Sequence, residues 1–180
     1  WGLGSTGPLW PDSPVYLNGS LMYRDWLLSG ELLHPYEFAV KQYAQYPAFH
    51  IPFHPPFYPG LMSLWFIIFG ASYESARLFV GISFGVGGIF FYLILREFSI
   101  NKPAAAITTL FMLSIPEIAL WSRDTMSETP ALALQFAATF FFLRWLTNQT
   151  WASCVFMFLL AEAAFLSRVS SAGIVVTWTL

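Results

Sequence analysis

The sequence predicts an all-α fold: a polytopic transmembrane helix bundle with a long outer first loop that carries amphipathic surface helices. Three observations predict it. Of the 180 residues, 57% are hydrophobic and only 10% are charged, whereas a soluble domain carries about a quarter charged residues. From Arg77 onward the apolar runs lengthen and are interrupted only by short polar clusters such as Arg96-Glu97, Asn101-Lys102 and Ser122-Arg123-Asp124. Residues 1–76, by contrast, set five acidic side chains against only two basic ones, Arg24 and Lys41, together with many Pro, Tyr and Gly.

Taken in order, residues 1–76 form the outer loop. Within it, residues 15–33 place Leu17, Leu21, Leu28 and Leu32 beside Tyr16, Tyr23 and Trp26, an amphipathic pattern with interfacial aromatics. This predicts a surface helix, with Gly30 and Pro35 as its terminators. Residues 57–69 are apolar, but a bilayer core takes about 20 residues of helix to cross. The segment is therefore expected to lie along the membrane surface. Residues 77–180 form the bundle, with spans at about 77–95, 103–121, 129–146, 151–167 and 169–180, the last cut short. The chain opens on Trp1 and stops inside an apolar run, so it reads as part of a longer protein. The glycines of Gly85-Val86-Gly87-Gly88 sit mid-helix, where small residues serve close packing. Cys154 lies in an apolar run and reads as a small buried hydrophobe.

If residues 57–69 do not cross, the whole first loop shares one side with the turn at 122–128. Asp12, His54, Arg123 and Glu128 are then expected on one face. Arg96, Lys102 and Arg144 fall on the opposite one, and short basic turns favour the cytoplasm. The loop is thereby placed outside. A net charge of −2 supplies no basic face for phosphate backbones and sets nucleic acid aside.

Two readings stand for each candidate side chain. Asp12, in Trp10-Pro11-Asp12-Ser13-Pro14, is either the cap of the first surface helix or a carboxylate presented at the bilayer surface. Glu128 is either a first-turn acid placed at the positive end of a helix or one of a functional group of boundary charges with Arg123 and Asp124. Around His54 the chain is dense in proline and aromatic rings, suited to stacking on sugars or to packing on the membrane. His50 and His54 would form a metal pair only on a helix, which Pro52 disfavours. Glu162 and Arg168 flank the end of one span, either as a local ion pair or with Arg168 turned to an anionic lipid phosphate.

In order along the chain stand Asp12 with Tyr16, His54-Pro55-Pro56-Phe57-Tyr58, Phe69-Gly70, Arg77-Leu78, Ser114 to Pro116, Ser122-Arg123, Glu128 and Arg168. This order resembles the GT-C superfamily of membrane glycosyltransferases. Its nearest likeness is to the family 39 protein mannosyltransferases and the bacterial aminoarabinose and related lipid-sugar transferases. The family pattern commonly has Asp-Glu in the first loop, where Asp12 is followed here by Ser13, and often Asp at the position of Glu128. The resemblance implies an integral, multi-pass membrane enzyme, in the inner or plasma membrane if bacterial, with its active site on the extracytoplasmic face. It implies inverting transfer of a sugar from a polyprenyl-phosphate donor to a lipid or protein acceptor. Asp12 would act as general base and Glu128 as a partner acid that orients the acceptor or a metal. Tyr16, His54, Tyr58, Arg123 and Arg168 would bind substrate. A divalent metal is compatible with these residues and none is required by them. A transporter or flippase, and a non-catalytic sugar-lipid-binding relative, are the alternative readings.

Overall fold

A computed structural model describes residues 10–46 and 54–178, with the side chains of residues 175–177 excepted, and among these residues all regular structure is helical. The elements are α1 (Ser13–Ser29), α2 (Pro35–Gln45), α3 (Phe57–Phe69), α4 (Tyr73–Glu97), α5 (Lys102–Leu113), α6 (Pro116–Trp121), α7 (Glu128–Asn148), α8 (Trp151–Ser167), a 3-10 turn at Val169–Ala172, and α9 (Gly173–Trp178). Helices α4 and α7 are both long and apolar enough to cross a membrane.

Local chemistry sets many of the boundaries. The side chains of Ser72, Asn101 and Thr150 accept the N–H groups of Ser75, Ala104 and Ser153, so α4, α5 and α8 each start on an N-cap. Helix α1 stops at Gly30, whose φ of 76° is a left-handed conformation that glycine adopts without steric cost.

Helices α4, α7 and α8 form the bundle, with α7 packed on both of the others and α5 laid against α4. Aromatic rings fill the seams. Phe91 meets Phe136 at 5.2 Å, Phe90 meets Phe140 at 5.8 Å, and Phe141 stacks on Phe156 at 5.1 Å. Small residues let the backbones close up: a Cβ on Gly87 would stand 3.5 Å from Ala133 Cα, and one on Gly88 would stand 3.0 Å from Leu113 Cδ1. Gly87 meets helix backbone, which cannot swing away. A Gly87→Leu substitution is accordingly expected to cost about 1–3 kcal/mol by overpacking, read as a lower midpoint in detergent melting, whereas Gly85→Leu, facing open space, is expected to leave the midpoint in place.

Helix α1 pairs with α3, and α3 touches α4 and α8. A Cβ on Gly19 would stand in ordinary contact, 3.5 Å from Pro59 Cβ. Tyr16, Tyr58, Met62, Phe66, Ala76, Phe79, Val80 and Met126 make one buried cluster, with Leu17, Leu21 and Trp65 packed on it. The Trp65 indole donates to Ser75 at 3.0 Å and ties α3 to the first turn of α4. The other face of α3 exposes Leu61, Leu64, Ile67, Ile68 and Phe69.

Several sequence expectations need correction. The single span expected over residues 103–121 is two helices, α5 and α6, broken at Ser114 and Ile115. Pro116 is the cause: it has no N–H to continue the ladder, and it disfavours helical geometry at Ile115, whose ψ is 123°. Pro35, read as a terminator, opens α2 instead, as proline at a first helical position readily does. In α1 the fully buried residues are Ser13, Tyr16, Gly19 and Ser20, and Leu17 and Leu21 pack on the same cluster while Leu28 and, beyond the helix, Leu32 are exposed.

Candidate active site

The site is built from helix ends. The starts of α1, α3, α4 and α7 and the end of α8 meet at one end of the bundle. Arg144 and Glu97 pair at 3.3 Å near the ends of α7 and α4 that lie away from it.

Helix α1 brings two of the sequence-predicted residues. Asp12 occupies the N-cap position of α1, yet its side chain makes no capping hydrogen bond and is exposed. One turn on, the Tyr16 phenol is buried and accepts the Ser127 hydroxyl at 2.9 Å.

At the start of α3, the His54 ring lies 4.4 Å from the Tyr16 ring, and Tyr58 meets Tyr16 edge-on at 5.2 Å. Burial pushes the His54 imidazole below its usual range, although Asp12 and Glu128 oppose the shift. His54 is therefore neutral at pH 7 and able both to donate and to accept. Burial also raises the Tyr16 phenol, assisted by Glu128, and lifts Tyr58 well above the ordinary range. Both stay protonated at neutral pH. The Tyr58 hydroxyl is fully buried and has no hydrogen-bond partner among the described residues.

The turn before α7 supplies the acid. Every residue from Asp124 to Pro130 is buried. Glu128, in the first turn of α7 where the helix dipole favours a negative charge, pairs through Oε1 with Arg168 at the end of α8. Its other oxygen, Oε2, is buried without a hydrogen-bond partner among the described residues. Arg168 also donates through Nε to Ser170 at 3.0 Å and keeps 40% of its side chain exposed. The expected local pair with Glu162 does not form: Glu162 is exposed on α8, and Arg168 turns to Glu128 forty residues earlier.

The structure thus brings Tyr16, His54, Tyr58, Glu128 and Arg168 together through ring contacts, hydrogen bonds and an ion pair, with Asp12 near enough to act on Tyr16 and His54 electrostatically. Arg123 is half-buried in the turn that leads to Glu128. His50 lies outside the described residues. Among the described residues no group of three or more His, Cys, Asp or Glu side chains is arranged to hold a metal ion.

Sequence reasoning missed Ser127 and read Asp124 only as one of a group of boundary charges. Ser127 holds Tyr16, and Asp124, fully buried, accepts hydrogen bonds from Trp10, Ser13, Tyr73 and Thr125. The available signal was the turn itself, Asp-Thr-Met-Ser-Glu-Thr-Pro, whose short polar side chains fit a buried hydrogen-bonded turn as well as an exposed one.

Residues 53–180 match a family model described as dolichyl-phosphate-mannose-protein mannosyltransferase. No curated protein and no solved structure matches the chain. The match takes in the start of α3, the apolar helices and the Glu128–Arg168 pair, so every part of the site except the first turn of α1 and the residues before it falls inside it. An all-helical bundle with two membrane-length apolar helices, matched over most of its length, settles the assignment: the chain belongs to the dolichyl-phosphate-mannose-protein mannosyltransferase family, membrane-bound glycosyltransferases that take their sugar from a polyprenyl phosphate.

Proposed function

We propose that this chain carries the acceptor-activating end of an inverting glycosyltransferase, which moves a sugar from a polyprenyl-phosphate donor to a hydroxyl or amine of a lipid or protein acceptor at the outer membrane face. The observation that carries the reading is Asp12. It is an exposed carboxylate that does not cap its own helix, and it acts electrostatically on Tyr16 and His54, the two rings that Glu128 and Arg168 also influence.

In this mechanism the Asp12 carboxylate takes the acceptor proton as the acceptor atom bonds to the anomeric carbon. The bond from that carbon to the phosphate oxygen breaks on the opposite side, and the electron pair leaves with the polyprenyl phosphate. Arg168 and Arg123 offset the charge on the departing phosphate. Their guanidinium geometry suits phosphate oxygens. Glu128 orients the acceptor and holds Arg168 in place. Buried Tyr16 packs on the His54 ring with Tyr58 behind it, and neutral His54 donates or accepts a hydrogen bond at the sugar. The leaving group is already activated as a phosphate ester, so no nucleotide site is required.

The test is transfer of labelled sugar from a panel of polyprenyl-phosphate hexoses to endogenous acceptors, in membranes containing the full-length protein. Sugar transfer that disappears with Asp12→Asn and yields product of inverted anomeric configuration is expected. Retained configuration would remove the single-displacement mechanism.

Orientation is tested separately. With α3 lying along the surface, the loop around Ala71 is outside and that around Asn101 inside. Cysteines at the two positions are therefore expected to differ in labelling by a membrane-impermeant maleimide, and equal labelling from outside overturns this placement.

A further inference from the structure

Two hydrogen bonds fasten the first turn of α1 to the turn before α7. Ser13 donates to Asp124 at 2.7 Å, and Ser127 donates to Tyr16 at 2.9 Å; in both the partners are 111 residues apart in the chain. The two segments therefore run side by side in one register. Asp12 lies next to the first of these fastenings.

The Asp124 carboxylate is the more heavily used anchor. Its Oδ2 accepts the Trp10 N–H at 2.9 Å as well as the Ser13 hydroxyl, and its Oδ1 accepts the Thr125 N–H at 2.7 Å and the Tyr73 hydroxyl at 3.1 Å. It has no exposed surface. A buried carboxylate persists only when its oxygens are satisfied, and here the satisfying groups come from the approach to α1, α1 itself, the first turn of α4 and its own turn. Trp10 and Ser13 bracket Asp12. With no capping bond to fix the Asp12 side chain, the position of its backbone rests on these flanking bonds.

We propose that Asp124 is a positioning residue: it seats the Asp12 segment against the Glu128 turn and so sets where the Asp12 carboxylate meets the acceptor. The inference rests on the role given to Asp12 above. The chemistry at Asp124 is specific to a carboxylate. Both of its oxygens receive a backbone N–H, from Trp10 and from Thr125, and a backbone N–H cannot turn round. An asparagine in its place would set its NH2 group against one of these donors whichever way the amide is flipped. A hydrogen bond to a charged group contributes about 1.5–3 kcal/mol, so one such conflict is enough to free one end of the tether.

The test compares Asp12→Asn, Asp124→Asn, Ser13→Ala and the double variant Ser13→Ala/Asp124→Asn in the full-length protein in membranes, using the polyprenyl-phosphate hexose that the wild type turns over. Asp124→Asn is expected to lower kcat at least tenfold with donor KM within threefold of wild type, and Ser13→Ala to lower kcat several-fold. The double variant is expected to fall no further than Asp124→Asn alone, because both substitutions open the same connection. Hydrogen exchange is expected to quicken in residues 10–20 of Asp124→Asn, with α7 and α8 unchanged. If Asp12→Asn abolishes transfer while Ser13→Ala and Asp124→Asn keep wild-type kcat, the positioning role is overturned and the role of Asp12 stands. If Asp12→Asn itself transfers normally, it is the underlying reading that fails. Should Asp124→Asn not accumulate, Ser13→Ala decides alone: unchanged kcat and unchanged exchange in residues 10–20 overturn the proposal.

Discussion

Replacing Asp12 by Asn is expected to reduce kcat about 10²–10⁴-fold, the range that general acid–base groups contribute, while leaving the protein folded. The expectation of intact folding comes from the geometry. Asp12 is exposed and makes no capping bond, and Asn serves at an N-cap as well as Asp does, so the substitution removes the proton acceptor and little else. Donor KM should stay near its wild-type value, because the role proposed for the carboxylate is on the acceptor and not on the lipid phosphate. Single-turnover transfer in membranes separates the two parameters. Transfer within twofold of wild type, from protein that melts at the wild-type temperature, would take Asp12 out of the mechanism.

The second large effect is at Arg168. Glu128 is 8% exposed in its side chain and its partner 40%, so the two ends of the pair are unequally placed. Removing the partner of a buried charge costs about 3–5 kcal/mol when both are buried, and the exposure of Arg168 lowers the expectation for Arg168→Ala to about 1–3 kcal/mol. Glu128→Gln should cost less, since it leaves a guanidinium that water can reach. The double variant is expected to regain most of the stability lost in Arg168→Ala and none of the transfer. Melting and transfer measured on the three variants check this. Independent, additive losses in stability would show that the pair does not couple across α7 and α8.

What the sequence made legible follows from how each feature is encoded. Long apolar runs announce themselves, and α4, α7 and α8 are near-continuous hydrophobic segments between polar turns. The break between α5 and α6 was harder to read because Pro116 stands close to the end of the apolar run and resembles a terminator. Helix α2 escaped because it buries nothing, so no apolar stripe facing a core marks it. At the site, Asp12, His54, Glu128 and Arg168 were reached through motif order and residue type. Asp124 was reached only as one of a group of boundary charges, for a physical reason: beyond the adjacent Thr125, its donors Trp10, Ser13 and Tyr73 are each more than fifty residues away. A buried carboxylate fed by distant donors leaves no periodic trace, and the neighbouring Arg123 drew the phosphate-binding role on charge alone.

The fastening of α1 to the turn before α7 also has a bearing on how the protein is made. Its partners are 111 residues apart, and contacts so distant in the chain form only after the intervening segment has been laid down. Synthesis runs from the N-terminus, so Asp12 emerges first and waits while α4 to α6 are delivered to the membrane. The Glu128–Arg168 pair closes later still, when α8 has followed. Until then Asp12 has neither its seat nor its neighbouring charges, so the proposed site comes together only after α8 has been made.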